Sequence, residues 1–124
     1  MYKLAVKKDF IAQHFLIGGD WGPENKVHSH HYQIEVQLAG RDLDEHGFLV
    51  DIANINQLME KLITSYRDKI LNELPDFNNI NPSIENLARI AYQSLRRSLP
   101  DNVASTLKIR VWEDEIAWVT YREG

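Results

Sequence analysis

A period of two in the hydropathy of this chain constrains its fold more than any other feature. In residues 2–15 the apolar positions Leu4, Val6, Phe10 and Ala12 are even-numbered, and so is His14. In residues 27–40, His28, His30, Tyr32, Ile34, Val36 and Leu38 are even-numbered too, while Lys3, Lys7, Gln33, Glu35 and Gln37 occupy odd positions. Successive side chains of an extended strand point to opposite faces, so the alternation predicts two antiparallel strands, each dry on one side and wet on the other. His14, His28 and His30 then share the dry face. Neutral imidazole is a common zinc ligand, and a catalytic zinc typically takes three protein ligands and keeps one position open. A His-x-His on one strand and a third histidine on its neighbour suit that need. The same parity also accommodates three packed histidines bonded to backbone, and spacing alone gives the two readings equal weight. His31 and His46 fall outside the set and are expected at the surface.

A chain of 124 residues is expected to form one domain, 1–124, with a core of its own. Its net charge of -4 leaves no basic footprint, which argues against nucleic acid and anionic membrane as partners. There is no cysteine, so disulfides, thiolate ligands and a cysteine nucleophile are excluded. No apolar run has the length of a bilayer span, and Met1 to Phe10 interleaves lysines with apolar residues instead of forming a signal-peptide core. The expected location is cytoplasmic.

The two strands are joined by a long loop of turn formers, Gly18-Gly19-Asp20-Trp21-Gly22-Pro23, of the kind that often carries function. From Asp51 the period becomes helical. Ile52, Ile55, Leu58, Met59, Leu62, Ile63, Tyr66 and Ile70 predict one apolar stripe on a helix ending near Leu74-Pro75. A second helix is predicted to open with Asn81 as cap and Pro82 as its first residue, and to end at Leu99-Pro100, with Ile84, Leu87, Ala88, Ala91 and Leu95 as its stripe. Two strands, about 106–113 and 116–122, complete the chain. Leu107, Ile109 and Val111 face inward, and Glu113 shares their parity, where a carboxylate is costly unless partnered. The predicted fold class is α+β, in the order β-β-α-α-β-β, with both helices on one face of a four-stranded antiparallel sheet. Its two open edges favour an oligomer in which edges pair and a barrel closes.

These residues, in this order, resemble the 6-pyruvoyl-tetrahydropterin synthase and 6-carboxytetrahydropterin synthase family of the tunnelling fold. Phe10-Ile11-Ala12-Gln13-His14 is similar to its Phe-Ser-Ala-Ala-His, and His28-Ser29-His30-His31-Tyr32 to its His-Gly-His-Asn-Tyr. Pro82-Ser83-Ile84-Glu85-Asn86-Leu87-Ala88 matches Pro-Thr-x-Glu-Asn-x-Ala, and Glu113, with Trp118 and Tyr121, resembles the Glu-Thr motif that anchors the pterin. The resemblance implies zinc on His14, His28 and His30, a pterin gripped by Glu113 with help from Ser83, and a homo-oligomer, hexamer or tetramer, with sites between subunits.

Two departures accompany it. The family's catalytic cysteine, four residues before His-x-His, is Glu24 here. Its Leu-Asp-His-x-x-Leu-Asn stretch reads Tyr66-Arg67-Asp68-Lys69-Ile70-Leu71-Asn72, so Arg67 and Asp68 replace the aspartate and histidine of the proton-transfer triad. A subgroup with glutamate at the cysteine's position cleaves the side chain of 7,8-dihydroneopterin triphosphate in a retro-aldol manner to 6-hydroxymethyl-7,8-dihydropterin. The resemblance therefore implies a zinc-dependent lyase with Glu24 as base and Asp68 as a second proton-transfer group. The alternatives are the 6-carboxy- or 6-pyruvoyl-tetrahydropterin synthase reaction with replaced acid and base groups, and a zinc- and pterin-binding protein without catalysis.

Overall fold

The computed structural model describes residues 1–100 and 106–124. Strands β1 (Tyr2–His14), β2 (His28–Gly40), β3 (Thr106–Glu113) and β4 (Ala117–Tyr121) form one antiparallel sheet in the order β1-β2-β3-β4. Helices α1 (Ile52–Thr64) and α2 (Ile84–Ser98) separate the two strand pairs, giving the expected β-β-α-α-β-β order.

The parity argument holds on every long strand. Phe10, Ala12 and His14 of β1, Tyr32, Ile34, Val36 and Leu38 of β2, and Leu107, Ile109 and Val111 of β3 are all buried. Helix α1 lays Ile55, Met59, Leu62 and Ile63 against this face, and α2 adds Leu87, Ala88, Ile90, Ala91, Tyr92 and Leu95. The odd positions of β1 and β2 are exposed or half-buried up to Gln37, and only Ala39, next to the last residue of β2, turns inward. One slip in register would bring Lys3 and Lys7 into the core, so the pattern fixes the pairing.

The end of α1 and the start of α2 differ from expectation. Helix α1 ends at Thr64, and the apolar stripe continues without it: Tyr66, Leu71 and Phe77 are buried from a turn and two short 3-10 segments, Leu71–Glu73 and Pro75–Phe77. The chain breaks off because it is needed at the sheet edge. Asp68 takes a left-handed φ of 60°, its N–H donates to the Ile11 carbonyl at 2.8 Å, and the Lys69 carbonyl accepts from Gln13 N–H at 2.8 Å. These bonds cover part of the otherwise open edge of β1. At α2 the cap is Ser83, whose Oγ accepts the Asn86 N–H at 3.1 Å, and Pro82 lies before the helix. Asn81 has another task, pairing with the chain beyond β1.

Candidate metal centre

The register of β1 and β2 brings the histidines together. His14 stands directly opposite His28, and His30 opposite Ala12, one dry-face position further along. Directly opposed residues on a sheet have Cβ atoms about 5 Å apart, and the diagonal neighbour is within reach of a long side chain. The three ring centroids lie 4.6, 4.8 and 4.9 Å from one another.

Each imidazole is oriented from behind. His14 Nδ1 donates to the Pro82 carbonyl at 3.0 Å, His28 Nδ1 to the Lys26 carbonyl at 2.8 Å, and His30 Nδ1 to the Asp114 carboxylate. Because these acceptors carry no proton, each ring holds its own on Nδ1, which leaves the Nε2 lone pairs free. His14 Nε2 and His28 Nε2 face each other at 3.0 Å. In their neutral forms the two rings aim lone pairs at one another, an arrangement that a shared cation relieves, so the donor set fits a metal ion. The candidate ligand atoms of His14, His28 and His30 all lie within 4.8 Å of one another. Carbonyl and carboxylate partners behind the ligating rings are the usual outer support of such a site.

Electrostatics agree with this arrangement. Burial, reinforced by the charges of His30 and His28, lowers the pKa of His14 from 6.5 to about 4, so the ring is neutral at neutral pH. Glu113 Oε1 stands 3.7 Å from His30 Nε2. Burial raises its pKa, Asp114 and Glu24 add to the rise, and His30 and His28 oppose it. Glu24 is close enough for its charge to act on both His14 and Glu113.

The loop that carries Glu24 is held by three asparagines. Asn72 accepts from Phe15 N–H at 2.9 Å and donates to the Phe15 carbonyl at 2.8 Å; Asn81 does the same for Ile17, at 2.7 and 3.2 Å. On the other side, Leu16 N–H donates to the Glu24 carbonyl at 2.8 Å, and Asn25 Nδ2 donates to the Leu16 carbonyl at 3.0 Å. Residues 15–17 are thus paired on both sides as a strand would be, largely by side chains. Glu24 itself sits in a 3-10 turn, Gly22–Asn25, where Trp21 N–H donates to Asn25 Oδ1 at 2.7 Å.

Four of the seven expected site residues stand together, His14, His28, His30 and Glu113, and exposed Glu24 lies within electrostatic reach of His14 and Glu113. Ser83 follows Pro82, which supports His14, but its hydroxyl oxygen caps α2. Asp68 is exposed on the turn beside Ile11, three residues from His14 along β1, and within this one chain it does not join the cluster. Sequence reasoning passed over Asp114 and the three asparagines. His31 is exposed and bonded to Asp9 at 2.7 Å, as its parity required.

A family model described as 6-pyruvoyl tetrahydropterin synthase matches residues 3–124. The chain belongs to the 6-pyruvoyl tetrahydropterin synthase family. It is 27% identical over 129 residues to the 6-carboxy-5,6,7,8-tetrahydropterin synthase of Bacillus subtilis, covering 98% of this chain and 86% of that protein. It is 22% identical over 111 residues to the dihydroneopterin monophosphate aldolase of Pyrococcus furiosus, covering 90% and 89%. Its fold matches the Plasmodium vivax 6-pyruvoyltetrahydropterin synthase, solved with a catalytic glutamate replaced by alanine, with a TM-score of 0.81 at 15% identity over 98% of this chain and 97% of that one. The tunnelling fold and a pterin-processing lyase follow from membership of the family, and the non-catalytic alternative gives way to an enzyme.

Proposed function

We propose that this enzyme is zinc-dependent and shortens the side chain of 7,8-dihydroneopterin triphosphate by retro-aldol cleavage, giving 6-hydroxymethyl-7,8-dihydropterin. The observation that carries this reading is the placement of a carboxylate, Glu24, on a pinned loop within electrostatic reach of three converging imidazoles. Zinc held by His14, His28 and His30 would supply Lewis acidity to the side-chain hydroxyls. Glu113 accepts hydrogen bonds from the amino and ring N–H groups of the pterin, which a carboxylate can pair two at a time. Glu24 takes the proton of the second side-chain hydroxyl. The bond between the first and second side-chain carbons then breaks, and its electron pair enters the pterin ring. The second carbon leaves as an aldehyde bearing the phosphates, and the first carbon recovers a proton.

Support comes from two relatives. The Pyrococcus furiosus protein is an aldolase, and in the Plasmodium vivax synthase a glutamate is described as a catalytic residue. Ser83 is assigned to the start of α2 rather than to the pterin. Asp68 is assigned as the second proton-transfer group of a neighbouring subunit's site, because it projects from the β1 edge and its side chain makes no hydrogen bond or ion pair among the described residues. The test is product identification by mass after incubating zinc-loaded protein with the triphosphate. Glu24→Gln should keep zinc and pterin binding while turnover falls by about 10² to 10⁴. Unchanged turnover removes Glu24 as the base. A second reading, 6-carboxytetrahydropterin formation, draws on the Bacillus subtilis relative, and its product has a different mass.

A further inference from the structure

We infer that Asp114 is a positioning residue that sets the affinity of the centre for its metal through His30; the inference rests on the metal reading given above. Of the three imidazoles, His14 and His28 donate to neutral carbonyls, those of Pro82 and Lys26. His30 alone donates to a carboxylate. An anionic acceptor behind a ligating imidazole makes that ring more electron-rich at its other nitrogen and strengthens its bond to a cation.

The geometry shows how Asp114 is held to this task. Its Oδ2 takes His30 Nδ1–H while its Oδ1 takes the His31 backbone N–H at 3.0 Å, so both oxygens are engaged at β2. Its own N–H donates to the His31 carbonyl at 2.9 Å. Asp114 therefore brackets the backbone of one residue of β2, His31, and places its second oxygen behind the ring one residue earlier. This works because Asp114 opens the β3–β4 turn with a left-handed φ of 52°, which swings its side chain back across the end of β2. Aspartate and asparagine tolerate that conformation better than most residues. Glu113, the preceding residue, is displayed toward His30 Nε2 on the other side of the same ring. One turn thus presents the pterin's carboxylate and the histidine's carboxylate as a pair.

Asp114→Asn keeps the turn and the neutral hydrogen bond but removes the charge. Asp114→Gly keeps the turn and removes the acceptor altogether. Glu115→Gln removes one charge from the same turn, also at a left-handed position, φ 68°, and serves as the control for general electrostatics. Zinc affinity is measured by competition with a chromogenic chelator at fixed pH, and the protonated nitrogen of His30 by ¹⁵N shifts of the metal-free protein. The expected result is a loss of affinity of about 10- to 100-fold in Asp114→Asn and at least as much in Asp114→Gly, with Glu115→Gln within about threefold of wild type. His30 should lose its preference for Nδ1–H in Asp114→Gly. Affinity unchanged in both Asp114 variants, or lost equally in Glu115→Gln, overturns the inference while leaving the metal reading intact. A wild-type protein without measurable zinc affinity overturns both.

Discussion

His14 makes the metal-free protein sensitive to acid in a way that can be worked out from its surroundings. In the unfolded chain its imidazole gains a proton as the pH falls through about 6.5, whereas in the folded protein burial and the neighbouring rings delay this until about 4. Between those values the unfolded chain binds more protons, so stability falls with falling pH. The contribution is fully present above about 6.5 and lost on the way down to about 4. At about 1.4 kcal/mol for each pH unit, the loss is about 3 kcal/mol, a sizeable part of the stability of a domain this long. The perturbation is His14→Gln, whose amide can still donate to the Pro82 carbonyl but does not titrate in this range. Urea unfolding of chelator-treated protein, at one protein concentration and at about pH 7 and about pH 4, reads the difference. The wild-type midpoint should drop by on the order of 1 to 2 M more than that of the variant. Parallel losses in the two proteins would refute a neutral, buried His14.

Ser83→Ala should cost about 1 kcal/mol in unfolding free energy through loss of the α2 cap while leaving pterin affinity unchanged; a large loss of pterin affinity would restore the hydroxyl to the ligand. Phe77 is buried against Tyr66, and Phe77→Ala should lower stability by about 3 to 5 kcal/mol in denaturant titrations, because the short segment it sits in cannot collapse around the hole. Mixing Glu24→Gln with Asp68→Asn protein under exchange conditions should recover turnover that neither variant has alone, if a subunit's Asp68 serves its neighbour's Glu24. No recovery in verified mixed oligomers removes Asp68 from the chemistry.

The sheet was legible because alternation in β1, β2 and β3 admits one register, and the same parity brought His14, His28 and His30 to one face. The end of α1 was not. Tyr66 and Ile70 continue the three- and four-residue spacing, and nothing local distinguishes a fifth helical turn from a chain that leaves to bond Ile11 and Gln13 across the sheet edge. The start of α2 was misplaced by two residues because Asn81 has the side chain of a cap, and only tertiary contact assigns that amide to Ile17. Asp114 was hidden for a related reason. Its parity points away from the dry face, and the left-handed turn that brings it back is invisible to a period of two. Asp-Glu at the junction of two strands was the available signal, since aspartate favours turns of positive φ.

The amides of Asn72 and Asn81 stand in for a missing strand beside Phe15 and Ile17, so the bracket that carries position 24 draws almost nothing from the side chain at that position. A scaffold of this kind separates holding from reacting. The side chain at position 24 can change from carboxylate to thiol or amide while the mount stays in place, so a single codon alters what the loop displays without reopening the question of how the protein folds.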